Sequence, residues 1–240
     1  MPKMKQITEQ KANGAHFTPY ELACFVAKRI IRSIPTDFFA TKETIRVLDP
    51  SCGDGELLLA FAEMLPSEYR RKIILMGVEF DKQSLGTAQH RLANCSIERL
   101  QLESADFLKI GKMKPAQPSL FDDFSVPPIL KEPADIIIAN PPYVRTQVLG
   151  SEKSQELAVL FGLSGRVDLY QAFLVAMTQQ LARNGILGVI TSNRFLSTKG
   201  GASIRELLKK IMIYSNYLTL AIQNFLMLPF FLPYSLGENV

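Results

Sequence analysis

Asn140-Pro141-Pro142-Tyr143 follow at once on the apolar run Ile136-Ile137-Ile138-Ala139. Most of that run is β-branched and it has no polar break, which predicts a strand buried on both faces of a parallel sheet. The two prolines lack N–H groups and cannot continue a sheet ladder, so the strand must stop there. The stop sets Asn140 at the carboxyl end of a central strand, where open α/β sheets bind ligands. A side-chain amide, a prolyl carbonyl and a phenol ring are then offered together, groups that hydrogen-bond and stack. A plain strand-ending turn fits the tetrapeptide equally well when it is taken alone.

A second polar group lies in Asp49-Pro50-Ser51-Cys52-Gly53-Asp54-Gly55, between a predicted strand, Ile45–Asp49, and an apolar helix from Glu56 to Leu65. Gly53 and Gly55 permit positive φ and close approach of a ligand to the backbone. The helix N-terminus adds free N–H groups. This is no phosphate loop, because the Lys-Ser/Thr pair is absent and no third glycine completes Gly-x-Gly-x-x-Gly. Asp49 and Asp54 would repel a pyrophosphate and suit a cationic or amine-bearing ligand. Glu79 ends a second strand, Ile73–Glu79, 26 residues after Gly53. An acid there commonly takes the two hydroxyls of a ribose, though a helix-capping acid is the plainer reading. Asp106 and Phe107 follow a third strand, Arg99–Glu103. They offer an acceptor for an exocyclic amine and a cover for a flat ring, or simply a turn and a core residue. The ligand described is a nucleoside with a positive centre and no pyrophosphate, and S-adenosylmethionine meets all three requirements.

Other elements must hold these residues in place. Thr18 suits a helix N-cap, Pro19 the first helical position and Glu21 the third position of a capping box, ahead of the stripe Leu22, Phe25, Val26, Ile30. Residues 111–133 carry Pro115, Pro118, Pro127, Pro128 and Pro133 and read as an exposed loop. Within it, Gln117-Pro118-Ser119-Leu120-Phe121 looks like the pentapeptide by which many bacterial proteins dock on the replication sliding clamp. A loop packing its own Leu120 and Phe121 is the commoner outcome for so short a motif. The polar stretch from Tyr143 to Arg166 reads as a flexible active-site loop or lid. Asp168 opens a helix with Leu169, Phe173, Ala176, Met177 and Leu181 on one face, ended by Asn184-Gly185. A strand, Ile186–Ile190, and a helix, Ala202–Lys210, follow, and Ile211 to Val240 is apolar without a pattern. Strand and helix alternate throughout, so the expected class is α/β with a doubly wound, mostly parallel sheet.

Composition narrows the rest. The chain is 47% hydrophobic and 21% charged, as a folded globular domain is. The most apolar run, Phe225 to Leu232, is broken by Pro229 and too short to span a bilayer, so no membrane is expected. No apolar leader follows Met1, which predicts a cytoplasmic protein. Cys24, Cys52 and Cys95 lack zinc-type spacing, so they read as reduced thiols and no metal is expected. A net charge of +4 is compatible with a nucleic-acid partner without pointing to one.

Taken in order, the motifs resemble those of the gamma-class N6-adenine DNA methyltransferases of restriction-modification systems. The matching pieces are His16-Phe17-Thr18-Pro19, Asp49 to Gly55, Gly77-Val78-Glu79-Phe80-Asp81, Ala105-Asp106-Phe107-Leu108, Asn140-Pro141-Pro142-Tyr143, Asp168-Leu169-Tyr170 and the Ile186 to Leu196 strand. The resemblance runs over roughly residues 14 to 210 and implies a Rossmann-like methyltransferase fold with S-adenosylmethionine as cofactor. It implies cofactor contacts at Thr18, Asp49, Pro50, Ser51, Cys52, Gly53, Glu79, Asp106, Phe107 and Pro142. It implies that Asn140, Pro141, Pro142 and Tyr143 hold the target adenine. By the same resemblance, Asn140 and the Pro141 carbonyl accept the two N6 hydrogens and Tyr143 stacks on a base flipped out of double-stranded DNA. Catalysis of this kind is orientation and dipole placement.

The domain reading is residues 1–44 as an N-terminal helical segment of the catalytic domain and 45–240 as the rest of that domain. Family members usually add a strand hairpin and a large target-recognition domain. Ile211 to Val240 does not resemble the hairpin, so a truncated chain, or half of a split enzyme with a separate specificity subunit, is expected. Glutamine-N5 and RNA-guanine methyltransferases share Asn-Pro-Pro-Tyr and stay as alternatives, as does a cofactor-binding fragment that needs a recognition partner.

Overall fold

A computed structural model describes residues 18–35, 37–110, 128–144, 146–165, 167–192, 196–211, 220–222 and 225–231. Its strands are β1 (Ile45–Asp49), β2 (Ile73–Glu79), β3 (Arg99–Ser104), β4 (Ala134–Ala139), β5 (Leu181–Ser192), β6 (Leu220–Ile222) and β7 (Phe225–Phe231). They form one sheet in the order β3-β2-β1-β4-β5-β7-β6. The strands from β3 to β5 are parallel, and β7 and β6 add an antiparallel pair beyond β5. The chain builds β2 and β3 on one side of β1, then returns to build β4 and β5 on the other. The winding reverses between β1 and β4, and sheets of this kind form their ligand crevice there, at the carboxyl ends of the strands. This is the doubly wound, mostly parallel sheet that the strand-helix alternation predicts.

The helices are α1 (Tyr20–Ser33), α2 (Phe38–Thr41), α3 (Glu56–Met64), α4 (Lys82–Leu92), α5 (Phe107–Ile110), α6 (Thr146–Leu149), α7 (Ser151–Leu160), α8 (Leu169–Gln180) and α9 (Ala202–Ile211). They cover both faces of the sheet, which is why the central strands are apolar without alternation. All of β4 is buried. Ile136 and Ile138 pack with Val47, Leu75 and Ile186 under α1, α3 and α4. Ile137 and Ala139 pack with Leu48, Met76 and Val189 under α7 and α8. Asp135 is tolerated inside because both oxygens are used: Oδ1 accepts from Lys42 Nζ at 2.7 Å and Oδ2 from the Arg46 N–H at 2.8 Å. Buried Gln180 closes the last turn of α8, its Nε2 donating to the carbonyls of Leu130 and Glu132 at 3.1 Å each.

Helix α1 lies directly on β5 because Gly188 has no side chain. A Cβ at Gly188 would overlap Cγ1 and Cδ1 of Ile30, which is fully buried in α1. Gly188→Ala is therefore expected to cost about 1–3 kcal/mol, as overpacking of a filled core does. In a thermal melt that is a drop of roughly 2–4 °C per kcal/mol for a domain of this size. An unchanged melting temperature would mean that α1 slides freely on the sheet.

Four expectations are corrected. Thr18 does not cap α1; Pro19 occupies the cap position, no side chain caps the helix, and the predicted capping box is absent. The polar stretch after Tyr143 is not an open loop: it contains α6 and α7, and Ser154, Leu157, Ala158, Phe161 and Leu163 are buried. Ser154 accepts the Val167 N–H at 2.8 Å and donates to the Val167 carbonyl at 3.0 Å, pinning both ends of the segment together. Helix α8 ends at Gln180 rather than at Asn184-Gly185. Leu181 already pairs with Ala134, and Asn184, at φ 60°, belongs to an irregularity before Ile186 pairs with Ile136. Finally, the unpatterned stretch from Ile211 carries a hairpin after all: β7 pairs with β5 from Ile186↔Phe231 to Ser192↔Phe225, and β6 pairs with β7. Among the described residues no helix is long and apolar enough to cross a membrane.

Candidate active site

The crevice at the winding reversal is lined by the loop after β1 and the loop after β4. Asp49, the last residue of β1, is 1% exposed, and its Oδ1 accepts the Ser51 N–H at 3.0 Å. Burial raises its carboxyl to about 8; the Ser51 hydrogen bond opposes that rise and the charge of Glu79 adds to it. The loop then crosses the end of β2. Cys52 N–H donates to the Val78 carbonyl at 3.0 Å, and Gly53 N–H donates to Glu79 Oε2 at 2.9 Å. Glu79 Oε1 accepts from the Asp81 N–H at 2.8 Å. The loop between β1 and α3 and the acid of β2 are thus one hydrogen-bonded unit.

Glycines make that unit possible. A Cβ at Gly77 would stand 2.9 Å from Cys52 Sγ and 2.7 Å from Leu102 Cδ2, so the thiol fills the place where a side chain on β2 would be. Cys52 is buried there, and burial first, then Asp49 and Glu79, push its thiol well above the ordinary range. Gly53 sits at φ +53° with open space where a Cβ would be, which leaves the backbone approachable at the crevice.

Across the crevice, Asn140 follows β4. Its Nδ2 donates to Thr18 Oγ1 at 3.1 Å. Its Oδ1 is buried and has no hydrogen-bond partner among the described residues. An orphaned buried acceptor costs about 1–3 kcal/mol and calls for a donor. The Ser51 Oγ is buried and unpartnered in the same way. Pro141 is buried and Pro142 half-buried. Tyr143 donates its hydroxyl to the Ile190 carbonyl on β5 at 2.7 Å, and its ring lies 6.0 Å from that of Tyr170, tilted by 35°. Burial pushes its phenol far up, so it stays protonated at any working pH. The Leu169 N–H bonds back to the Val144 carbonyl at 3.1 Å, and a capping box between Asp168 and Gln171 starts α8 at that point. The Asn-Pro-Pro-Tyr turn is therefore fixed from α1, β5 and α8.

Residues 68–225 match the model of the Eco57I restriction-modification methylase family. The chain belongs to that family. Over 204 residues it is 48% identical to the Type II methyltransferase M.BanIII of Aneurinibacillus aneurinilyticus, covering 85% of this chain and 34% of that protein. It is 27% identical over 219 residues to the Type II methyltransferase M.XhoI of Xanthomonas vasicola, covering 86% of this chain and 38% of that one. The chain thus spans little more than a third of the length of these relatives. Among solved structures, the methyltransferase subunit of a type I restriction-modification system from Streptococcus thermophilus superposes with a TM-score of 0.62 at 18% identity. That likeness covers 90% of this chain and 44% of that one. The fold of this Eco57I-family chain is accordingly the Rossmann-like methyltransferase fold.

Of the expected residues, Asp49 bonds Ser51 and Gly53 bonds Glu79 at the ends of β1 and β2, while Asn140 bonds Thr18 after β4. Asp106 stands at the end of β3, its Oδ1 accepting the Leu108 N–H at 3.1 Å. Phe107 points elsewhere: its ring is 2% exposed and packs on Phe173 at 5.7 Å, in the core. Asp54, expected to add negative charge, is neutralised by Arg91, which also pairs with Glu56. Spacing gave no hint of that ion pair, because Arg91 comes from the far end of α4. Nor could it show that Thr18 and Asn140 bond to each other across 122 residues. His16, Phe17, Gln117, Leu120 and Phe121 lie outside the described residues.

Proposed function

We propose that this chain is the catalytic part of a DNA methyltransferase that moves a methyl group from S-adenosylmethionine to the N6 of an adenine flipped out of duplex DNA. The observation that carries the reading is Asn140 Oδ1, a buried acceptor without a partner among the described residues, with the amide nitrogen already bonded to Thr18. With the Pro141 carbonyl that the family resemblance adds as a second acceptor, it suits a donor of two hydrogens, which is what an exocyclic amino group is. Holding both hydrogens draws the nitrogen out of conjugation with its ring and aims its lone pair. The cofactor, when bound, supplies an electrophilic sulfonium methyl. Asp49 and Glu79, the approachable backbone at Gly53 and the unpartnered Ser51 hydroxyl suit its positive centre, its ribose and its polar tail. Pro142 and Asp106 complete the residues assigned to the cofactor.

Tyr143 is assigned to stacking, its hydroxyl tethered so that the ring cannot turn away. The Eco57I-family membership supports a restriction-modification setting with double-stranded DNA as partner. Recognition of a particular sequence is assigned to a further domain or a specificity subunit, since this chain spans little more than a third of the relatives' length. The reading places the protein in the cytoplasm.

The test is transfer of tritium from methyl-labelled S-adenosylmethionine to mixed-sequence duplex DNA, with the product nucleoside identified and cofactor affinity measured by calorimetry on the same sample. Label in N6-methyladenosine supports the proposal. Label in RNA or in a glutamine-bearing protein instead, or cofactor binding with no transfer to any duplex, overturns it for this chain.

A further inference from the structure

The loop between β1 and α3 is held from the sheet and also from α4. On the sheet side, Cys52 and Gly53 bond to the end of β2. On the other side is Arg91, in the last turn of α4. Its Nη1 donates to the Asp54 carbonyl at 3.2 Å and stands 2.7 Å from Asp54 Oδ2, and its Nη2 pairs with Glu56 Oε2. One guanidinium thus holds a backbone carbonyl and the carboxylates on either side of Gly55. We infer that Arg91 is a positioning residue for the cofactor, gripping the Asp54-Gly55-Glu56 turn so that the backbone at Gly53 keeps its place in the crevice. This rests on S-adenosylmethionine binding at that loop, as proposed above.

The turn needs such a hold. No side chain can anchor it at its centre, since a Cβ on Gly55 would stand 3.1 Å from Leu92 Cδ1 and 3.2 Å from Ala88 Cβ. Bare backbone lies against α4 there, and Ala88, Arg91 and Leu92 share the helix face that receives it. Charge works against the turn as well. Asp54 and Glu56 flank Gly55 and repel each other, and Glu79 stands at the end of the neighbouring strand. Arg91 turns that repulsion into attraction. Its side chain is 28% exposed, with Asp54 at 25% and Glu56 at 13%, so salt screens these pairs less than open surface pairs. The grip passes to Gly53 through the backbone, because the Gly55 N–H donates to the Cys52 carbonyl at 2.7 Å and closes the turn that contains it. Three acceptors in different directions suit a rigid guanidinium fork. A lysine ammonium supplies the charge without that geometry.

The test compares Arg91→Gln, which removes fork and charge, with Arg91→Lys, which keeps the charge. The control is Lys42→Gln, which breaks the Asp135 ion pair at the other end of β4 from Asn140. In the free protein, amide hydrogen exchange at Gly53 and Gly55 is expected to quicken by about tenfold or more in Arg91→Gln and by less than about threefold in Lys42→Gln. By calorimetry, Arg91→Gln should bind S-adenosylmethionine about tenfold or more weakly, with Arg91→Lys between it and the wild type and Lys42→Gln within about threefold. The methyl-transfer kcat of Arg91→Gln at saturating cofactor should hold within about threefold. Arg91→Lys carries the same comparison if the glutamine variant does not fold. Unchanged exchange and affinity overturn the inference. Equal weakening in Arg91→Gln and Lys42→Gln would show a merely structural ion pair and also overturn it. Full recovery in Arg91→Lys would make the effect one of charge alone, against a positioning role. Wild-type protein that binds cofactor but methylates no DNA rejects the proposed function and leaves these comparisons standing, whereas wild-type protein that binds no cofactor rejects both.

Discussion

Replacing Asn140 with alanine is expected to lower the methyl-transfer kcat by about 10²–10³-fold, the usual cost of deleting one preorganised polar group at a reacting centre. Cofactor affinity should hold within about threefold, because that interaction is assigned to Asp49, Ser51, Gly53 and Glu79 across the crevice. The free protein should hardly notice the change. Alanine removes the hydrogen bond to Thr18, worth about 0.5–1.5 kcal/mol, but it also removes a buried oxygen with no partner. These two terms oppose each other, so the melting temperature is expected to move by less than about 4 °C. Loss of turnover without loss of fold or of cofactor is the signature of a group that acts on the substrate alone. Retained turnover would remove Asn140 from the chemistry, and a collapse in melting temperature would make it a scaffold residue.

The second large effect belongs to Asp49, and its sign is opposite for stability and for function. The carboxyl titrates near 8 in the folded protein against an ordinary 3.8, chiefly because burial penalises its charge. Between those two values the folded state holds a proton that the unfolded state has released. Stability contributed at this site is therefore full below about pH 4 and declines as pH rises toward 8, by about 1.4 kcal/mol per pH unit at the steepest. Asp49→Asn escapes that decline. Its melting temperature should match the wild type at or below about pH 4 and exceed it by about 4 °C or more at pH 8. The gap widens across the interval and levels off above it; a gap that does not change with pH would refute the assignment.

Function should go the other way. A positive centre in the crevice favours the ionised carboxylate and lowers its pKa. Binding of S-adenosylmethionine near pH 7 should then release a proton, visible as a dependence of the calorimetric heat on the ionisation enthalpy of the buffer. The Asn variant should release none and bind about tenfold or more weakly, the loss of one partly buried charge interaction. Asp49 is thus expected to be kept at a cost to stability, as strained or desolvated groups at functional sites often are.

The parts of this molecule that could be read from sequence are those where one local cause dominates. Strands β1 and β2 fall where the apolar runs place them, and the prolines after Ala139 end β4 as their missing N–H groups require. The loop between β1 and α3 was legible because acids and glycines at that spacing exclude a phosphate site. What escaped was decided between distant segments. Thr18 has the chemistry of a cap, but a partner 122 residues away takes its hydroxyl. Helix α7 hides its pattern because a polar residue, Ser154, is on the buried side, satisfied by Val167. The run from Leu169 to Ile190 reads as one long helix and then a strand, with Asn184-Gly185 between them. The pairing of Leu181 with Ala134 moves the boundary forward, and the same two residues mark a kink within β5 instead. Phe107, drawn toward the site by its motif, was claimed by Phe173 in the core.

The grip of Gln180 on the carbonyls of Leu130 and Glu132 has a consequence for the placement of the site. On one side of residues 111–127, Phe107 and Leu108 are anchored in the core; on the other, Ile129 and Leu130 are anchored, with Gln180 holding the backbone as it enters β4. Both flanks are fastened before the central strand begins. Asn140, at the far end of β4, thus takes its position from anchors fastened in the core ahead of the strand.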